Sequence, residues 1–470
     1  EISYLGRKFI IYLALAHRQS QSRLRRLIAK QGGYILHVDG TCEGDSPNLF
    51  CGVDGISELV LDTVKIPSEK KERLIPFFRR IKQQYGEPKA LVHDMGRGIG
   101  MAVQEVFPGV ADFICHFHFL RDIGKDLLQD EYTALQKRLQ KLSIRALLRQ
   151  KARYLEQKID PAAPVLDEIL SSLESGTWQT TSCEPVPLIM AYALIQWVFE
   201  YPRQSNGYGF PFDRPHLDFF RRLQSAHRLL KKIMEVHLRG VVKDNKPYCL
   251  VYRALNEAVN DNQLNNLASS LEHKGKVFDK LRSAMRIALP DGKDGINDNG
   301  ANTDIRSIEE KVIAFRKWLI DDYERKETYT KMLKQIDEYW EKLFADPLPV
   351  VTPEGIVYIQ PQRTNNILEQ MFREEKRRAR KKSGTASLNK VLKAMLAETP
   401  LVQNLRNREY IDIILDGCST LAERFCQIDT ALVLKEMEAA KNNQEMILPS
   451  IKKLSRDCDL TKKISSLFLF

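Results

Sequence analysis

The feature that most constrains the fold is a change of hydrophobic period within residues 34–116. Five apolar runs in this region are too short for helices, and most end at aspartate, glycine or proline, a pattern that predicts buried strands. The runs are 34–39, 50–53, 59–66, 89–94 and 112–116. Apolar residues at helical spacing predict helices at 74–85 and 98–107. Crossover helices imply parallel pairing and the Asp54-Gly55 turn implies antiparallel pairing, so we predict an α/β unit with a mixed sheet.

Most of the remaining chain has the periodicity of helices. A helical stretch at 3–30 precedes the sheet, and a long one follows it, interrupted by a Gly-, Asp- and Asn-rich loop at 290–302. Prolines between 347 and 361 mark an extended linker with a strand at 355–359. We therefore divide the chain into an N-terminal basic helical segment (1–33), the first part of an α/β core (34–125), an α-helical insertion (126–350), the closing helix of the core (351–395) and a helical C-terminal region (396–470).

The net charge of +11 is concentrated in two segments. Residues 1–30 hold seven basic residues and one acidic residue, whereas residues 363–390 hold nine basic and three acidic residues. The rest of the chain is close to neutral, so the pattern predicts a polyanion bound at defined places. The first segment lies just before the first strand and would form a second wall of the same channel.

Composition excludes several classes of protein. An apolar fraction of 43% and a charged fraction of 28% are incompatible with wholesale disorder. Eight irregularly spaced cysteines indicate reduced thiols in a cytosolic or nuclear protein. The apolar stretch Phe9–Ala16 is interpreted as a buried helix rather than a signal peptide, and Leu188–Phe199 is too short to span a bilayer, so we expect no membrane association. A start at Glu1 rather than methionine suggests a missing upstream segment.

Two predicted strands end in aspartate, within His37-Val38-Asp39-Gly40 and His93-Asp94-Met95-Gly96. Neighbouring strands lie about 5 Å apart, so carboxylates at a shared sheet edge can converge. Such a pair suits Mg²⁺, which prefers oxygen ligands, and two ions about 4 Å apart support phosphodiester hydrolysis. Alternatively, each aspartate simply starts a turn, as Asp before Gly often does.

A third acidic residue, Glu369, lies in the first turn of the basic helix that begins near Asn366. Three cations follow it on the same helical face, and they are Arg373, Lys376 and Arg380. A carboxylate followed by a row of cations suits a metal ligand beside a phosphate track. Two alternatives stay open, because Asn366-x-x-Glu369 has the spacing of a capping box and the face is also compatible with a solvated surface.

The order Asp39, Asp94 and a distant Glu369 resembles the catalytic triad of DDE transposases with an RNase H-like fold. Within that group it is similar to the Mutator-like and related bacterial insertion-sequence transposases. Further motifs occur in the order typical of that family. They are Val106-Phe107-Pro108, Cys115-x-x-His118, and Asn365-Asn366 ahead of Glu369. The resemblance covers residues 34–125 and 363–390 and says little about the rest.

The resemblance implies an α/β RNase H-like catalytic core with a mixed sheet, interrupted by a large all-α insertion and flanked by further helices at both termini. It makes Asp39, Asp94 and Glu369 the catalytic carboxylates that bind two Mg²⁺ or Mn²⁺ ions, with Asp39 shared between them. Cys115 and His118 would support the active site. The side chains that would hold DNA phosphates are Arg373, Lys376, Arg377, Arg378 and Arg380.

The activity implied is DNA transposition, in which hydrolysis at the element ends frees a 3′-OH that attacks target DNA. The implied partners are the transposon ends, the target DNA and a second copy of the chain. The protein would be cytoplasmic and nucleoid-associated if bacterial, and nuclear if eukaryotic.

Other interpretations remain for both function and motifs. The chain is also compatible with an RNase H-like nuclease without strand transfer, a transposase-derived DNA-binding protein that no longer cuts, or a basic helical scaffold. Cys115 and His118 have the spacing of half a zinc site, but the sequence offers no second pair at ligand spacing. Gly96-x-Gly98-x-Gly100 lacks the full dinucleotide fingerprint and is interpreted as a tight strand-to-helix turn.

Overall fold

A computed structural model describes most of the chain. The described residues are 2–159, 171, 175, 185–201, 208–237, 246–287, 305–321, 326–344, 347–361, 364–384 and 387–444. The predicted loop at 290–302 and the end of the predicted C-terminal region, from 445 onward, lie outside them. Across the described residues, no helix combines the length and the apolar character that crossing a membrane requires.

The N-terminal basic segment forms two helices rather than the one predicted. Helix α1 spans Ile2–Gln19 and helix α2 spans Gln21–Lys30, with Ser20 between them. The chain then turns through Gly32 and Gly33, which both adopt positive φ angles that favour glycine. This turn leads directly into the first strand.

The next region is a five-stranded mixed sheet, which confirms the predicted mixed α/β sheet. The strands are β1 (Ile35–Thr41), β2 (Asn48–Asp54), β3 (Val60–Ile66), β4 (Ala90–His93) and β5 (Ala111–Ile114). Their order across the sheet is β3-β2-β1-β4-β5. The pairs β1–β2 and β2–β3 are antiparallel, whereas β1–β4 and β4–β5 are parallel. The crossover helices are α3 (Lys71–Tyr85) and α4 (Arg97–Val106).

This topology brings most strand ends to one edge of the sheet. Since β2 is antiparallel to both of its neighbours, its amino end lies beside the carboxyl ends of β1 and β3. The parallel strands β4 and β5 end at the same edge as β1. Residues that follow β1, β3, β4 and β5, together with the first residue of β2, therefore share one edge, which we call the carboxyl edge.

Helix α3 covers one face of the sheet through aromatic packing. The ring of Phe77 packs edge-to-face against Phe50 of β2, with centroids 5.2 Å apart. Side chains alternate between faces along a strand, and Phe50 pairs with Gly40 of β1, so Gly40 lies on the α3 face. His37 and Asp39 of β1 consequently point to the opposite face.

The chain after the helical region includes a hairpin that the sequence predicts only in part. Strands β6 (Leu348–Thr352) and β7 (Gly355–Ile359) pair antiparallel, whereas only the second was predicted. The prolines at 347 and 349 suggested a linker, yet a two-stranded hairpin tolerates proline because each strand is an edge strand.

Helices before and after this hairpin complete the carboxyl-terminal part of the described chain. They are α13 (Trp340–Leu343), α14 (Asn366–Ser383), α15 (Asn389–Ala394), a 3₁₀ helix (Thr399–Arg406), α16 (Arg408–Leu415), α17 (Leu421–Cys426) and α18 (Thr430–Gln444). Helix α14 buries Leu368 and Met371 in the main core, which leaves its basic residues on other faces.

The described residues fall into two compact units. The sheet unit contains those up to His118, Ile305, and those from Tyr339 onward, and the helical unit contains the others between Phe119 and Glu338. The helices between the two groups of strands are α5 (His116–Lys141), α6 (Ile144–Glu156), α7 (Pro185–Phe199), α8 (Pro215–His237), α9 (Lys246–Val259), α10 (Asn262–Met285), α11 (Ile305–Asp321), a 3₁₀ helix (Lys326–Tyr329) and α12 (Thr330–Glu338).

A buried hydrogen-bonded histidine ties the N-terminal segment into the sheet unit. His17 of α1 lies 3.0 Å from the hydroxyl of Tyr410 in α16 through Nδ1, and 3.0 Å from the hydroxyl of Tyr85 in α3 through Nε2. Burial lowers the pKa of His17 to about 4, so this link is neutral at ordinary pH. The N-terminal segment is therefore an integral part of the core.

The N-terminal positive charge is partly neutralised within the fold, which corrects the expectation of a free second wall for a DNA channel. Arg18 pairs with Glu436 at 2.7 Å and lies 3.6 Å from Glu398, and Arg23 pairs with Asp416. These arginines stabilise contacts with the carboxyl-terminal helices. They are consequently less available to an external phosphate than the sequence suggests.

Candidate active site at the carboxyl edge of the sheet

The register of the parallel strands places three chemically active residues in one row. His37 of β1 pairs with Val92 of β4, and the same offset sets Asp39 beside Asp94. His93 of β4 pairs with Ile114 of β5, which sets Asp94 beside Cys115. Adjacent strands lie about 4.8 Å apart, so the two predicted aspartates occupy neighbouring positions at the carboxyl edge.

Asp39 is the electrostatic centre of this edge. Its side chain is only 7% exposed, and its Oδ1 accepts a hydrogen bond from the Gly40 amide at 2.8 Å. Burial raises the pKa of Asp39 well above its ordinary value, and the neighbouring carboxylates of Asp94, Glu369 and Glu69 raise it further. Four acids from four separate segments therefore act on one another at this edge.

Asp94 lies in the turn between β4 and α4. Its Oδ1 accepts a hydrogen bond from the Gly96 amide at 2.9 Å, so the side chain is held beside the start of the helix. This geometry agrees with the interpretation of Gly96-x-Gly98-x-Gly100 as a strand-to-helix turn. It also agrees with the alternative that Asp94 starts a turn, but a turn residue is equally able to present its second carboxylate oxygen to a ligand.

Asn365 fixes the helix that carries Glu369 onto the sheet. Its side chain is fully buried, its Oδ1 accepts from His37 Nδ1 at 3.1 Å, and its Nδ2 donates to the Val38 carbonyl at 3.0 Å. Its backbone carbonyl accepts the Glu369 amide at 2.8 Å in the first turn of α14. One residue thereby joins β1, immediately before Asp39, to the turn that contains Glu369.

The capping-box alternative for Glu369 is wrong. The helix is capped at Asn365 rather than at Asn366, and no side-chain capping hydrogen bond is made there. Because the Asn365 side chain bonds to β1 instead, Glu369 is half-buried in the first turn and acts electrostatically on Asp39. The acid therefore belongs to the carboxyl edge of the sheet.

Cys115 and His118 are buried beside the acids. Cys115 has no exposed surface, and its Sγ accepts a hydrogen bond from the Asn365 amide at 3.4 Å. Burial first, and then the nearby Glu369, raise the pKa of the Cys115 thiol to about 12. The thiol is therefore protonated at neutral pH, which is unsuitable for a zinc ligand and suitable for supporting Asn365. His118 is 5% exposed at the start of α5.

Sequence analysis missed two residues at this edge, Glu69 and Asn48. Glu69 follows the carboxyl end of β3 and Asn48 begins β2, and the Asn48 Nδ2 donates a hydrogen bond to Glu69 Oε1. The available signal was the position of an acid just after a predicted strand. It could not be used because the strand order that brings β3 to the same edge is not readable from one sequence.

The donor chemistry of the edge fits a divalent cation such as Mg²⁺. All the converging donors are oxygens, and the buried Asn48 Oδ1 has no hydrogen-bond partner among the described residues. A Cβ on residue 40 would collide with Asn48 Oδ1 and Glu69 Oε1, so glycine keeps this space open. Across the described chain, however, no three His, Cys, Asp or Glu side chains stand close enough to hold an ion as placed. Coordination would require the mutually repelling carboxylates to rotate toward the cation.

The predicted phosphate-binding residues lie on α14 and differ in their availability. Arg373, Arg377 and Arg380 are exposed and make no ion pair with a described residue. Arg378 is instead held by Glu375 at 2.8 Å and by Glu374 at 3.5 Å, which corrects its assignment as a free cation. The side chain of Lys376 lies outside the described residues.

Comparison with known proteins adds no relative. The sequence matches no model of a known protein family and no curated protein.

Replacing Asp39 by asparagine is expected to raise the thermal unfolding midpoint at pH 7, measured in the presence of a chelator. The substitution removes a buried charge among like charges, and each kcal/mol relieved corresponds to roughly 3 °C. Because folding raises the pKa of Asp39, the wild-type protein gains relative stability as pH falls through that raised pKa. The advantage of the variant is therefore largest above that pKa and shrinks below it.

Asp45→Asn is the matched control for this measurement. Hydrogen bonds from Lys393 at 2.6 Å and Asn389 at 2.8 Å lower the pKa of the exposed Asp45 to about 2. The same substitution there is expected to leave the midpoint unchanged or to lower it. A lower midpoint for Asp39→Asn than for the wild-type protein would contradict the assignment of Asp39 as a destabilising buried acid.

Proposed function

We propose that the protein is a DNA transposase of the DDE type with an RNase H-like catalytic core. The observation that carries this proposal is the electrostatic coupling of Asp39 to both Asp94 and Glu369, which come from distant parts of the sequence. The sheet order β3-β2-β1-β4-β5, with β1 between an antiparallel and a parallel neighbour, supports the same fold proposal. The family motifs that suggested transposition lie around these acids.

The residues at the carboxyl edge suit two divalent cations that share Asp39. Asp94 would complete one ion and Glu369 the other. When bound, such ions polarise the attacking water and offset the charge that develops on the phosphodiester. Burial and neighbouring acids favour the protonated form of Asp39, so cation binding would displace a proton and strengthen as pH rises.

The chain supplies its own positioning of the acids and of the DNA. Asn365 holds the first turn of α14 against β1, and Cys115 donates no charge to the site while it accepts the Asn365 amide. Beyond Glu369, the exposed arginines of α14 would contact phosphates near the scissile bond. Contacts of this kind fix the register of DNA without reading its bases.

The decisive experiment incubates the purified protein with Mg²⁺ or Mn²⁺, DNA carrying the ends of the element that encodes it, and supercoiled target DNA. Cleavage and joined products are expected for the wild-type protein. Asp39→Asn, Asp94→Asn and Glu369→Gln are each expected to lower the rate at least about a hundredfold, because each removes a group that stabilises the reacting centre. Gel electrophoresis of end-labelled DNA measures both steps.

Asp45→Asn, which changes an acid outside the site, is expected to retain wild-type rates in this assay. Cleavage without joining would favour an RNase H-like nuclease instead. Binding without any product in the wild-type protein would favour a DNA-binding protein that no longer cuts. Equal rates for the wild-type and Asp39→Asn proteins would exclude catalysis at this site.

Asn365→Ala is expected to abolish most activity through the position of Glu369. The change leaves the Val38 carbonyl without its buried donor, which costs about 1–3 kcal/mol of folding stability. Asn404→Ala is the matched control, because buried Asn404 makes the same type of paired bond to the backbone of Val60 at 2.7 and 2.9 Å. Both variants should lose similar stability in denaturant unfolding, and only Asn365→Ala should lose DNA cleavage.

Arg373→Ala, Arg377→Ala and Arg380→Ala are each expected to weaken DNA binding and to reduce the slope of log K against log salt by about 0.9. Arg378→Ala should change the slope less, since Glu374 and Glu375 already neutralise that guanidinium. Fluorescence anisotropy over a range of salt concentrations measures both quantities. An effect of Arg378→Ala as large as that of the other three would refute the assignment of this face of α14 as the phosphate track.

A further inference from the structure

Glu69 reaches the carboxyl edge because the fold allows its backbone to approach α4 closely. It lies three residues beyond Ile66, the last residue of β3. A Cβ on Gly98, in the first turn of α4, would collide with the Glu69 carbonyl oxygen and lie 3.3 Å from the Cα of Lys70. Glycine at position 98 therefore lets the segment before α3 pack against the turn that follows Asp94.

The Glu69 side chain does not stabilise its own helix. Helix α3 is capped at Lys70, and no side-chain capping hydrogen bond is made there. Glu69 Oε1 instead accepts a hydrogen bond from Asn48 Nδ2, and both side chains occupy the space above Gly40. The carboxylate is thus held beside the residue that directly follows Asp39.

Asn48 supplies an independent sign that a ligand belongs here. It is 8% exposed, and while its Nδ2 binds Glu69, its Oδ1 has no hydrogen-bond partner among the described residues. An unsatisfied buried acceptor costs about 1–3 kcal/mol, so natural proteins rarely keep one without a use. The Oδ1 points to the space above Gly40, next to Glu69 Oε1, where a cation or its hydration shell would satisfy it.

The two glutamates approach Asp39 from opposite faces of the sheet. Glu369 comes from α14, which is anchored on the His37 face, whereas Glu69 comes from the α3 face, on which Gly40 lies. The pKa of Glu69 is raised by its burial and then by Asp94, which shows that Asp94 is its acidic neighbour. Glu69 is therefore on the Asp94 side of Asp39.

From this arrangement we infer that Glu69 is a fourth carboxylate ligand, completing the cation held by Asp39 and Asp94, and that Asn48 is its positioning residue. This inference rests on the proposed function, since it assigns Glu69 to one of the two ions proposed there. Glu369 would remain with the second ion. The two ions would then be distinguishable by the glutamate that each depends on.

The test measures Mn²⁺ binding to the full chain by calorimetry and by electron paramagnetic resonance of free Mn²⁺, without DNA. The wild-type protein is expected to bind two ions, and Glu69→Gln should weaken one of them at least about tenfold. Glu369→Gln should weaken the other, and Asp39→Asn should weaken both. Glu72→Gln is the matched control, because Glu72 is an exposed acid in the first turn of α3 and the change in charge is the same.

A second readout separates a ligand from a merely structural residue. In chelator, Glu69→Gln should raise the thermal midpoint, since it removes a charge from an acidic cluster, whereas loss of a structural glutamate would lower it. Gly40→Ala offers a second variant that keeps every charge but fills the space between Asn48 and Glu69, and it should also weaken one ion.

The outcomes distinguish this inference from the proposed function. If the wild-type protein binds two ions and Glu69→Gln behaves like Glu72→Gln, Glu69 is not a ligand, and the proposed function stands. If the wild-type protein and Asp39→Asn both fail to bind Mn²⁺, the proposed function and the inference are both overturned. Weakening of a single ion by Glu69→Gln and Gly40→Ala, with two ions retained in Glu72→Gln, supports the assignment.

Discussion

The burial of like charges at one sheet edge is the constraint on which the rest of the sheet unit depends. Asp39 is almost inaccessible, three other acids act on it, and it has no ion pair with a basic side chain of the described residues. Carboxylates in this situation repel one another, so the backbone must hold them together. The ladders that join β1 to β2 and β4, and the core formed by α3 and α14, provide that restraint.

Asn365 shows how a distant segment is held against this repulsion. The apolar side of α14 packs into the core through Leu368, but apolar contacts alone leave a helix free to slide. The directional hydrogen bonds from Asn365 to His37 and Val38 fix both its position and its rotation. Apolar burial thus provides the attachment, and a single buried amide provides the alignment of Glu369 with Asp39.

Local patterns in the sequence were sufficient for the strands, the crossover helices and the residues after β1 and β4, because these depend on hydrophobic period and turn residues. The break of the first helix at Ser20 and the strand β6 were missed, since packing decided both against local preference. Glu69 was missed because its place depends on how β3 pairs with β2. The pairing of Arg378 with Glu374 and Glu375 was readable from helical spacing, but its choice over DNA was not.

The position of α14 in the chain has a consequence for biosynthesis. Residues that build β1 to β5 leave the ribosome early and can pair with one another, whereas Glu369 and Asn365 follow only after the whole helical unit has been made. Contacts of such long sequence separation form late in folding. Nascent chains therefore display the strand-end aspartates without the helix that completes the set. The delay would keep a potential DNA-cutting enzyme harmless until its folding is nearly finished.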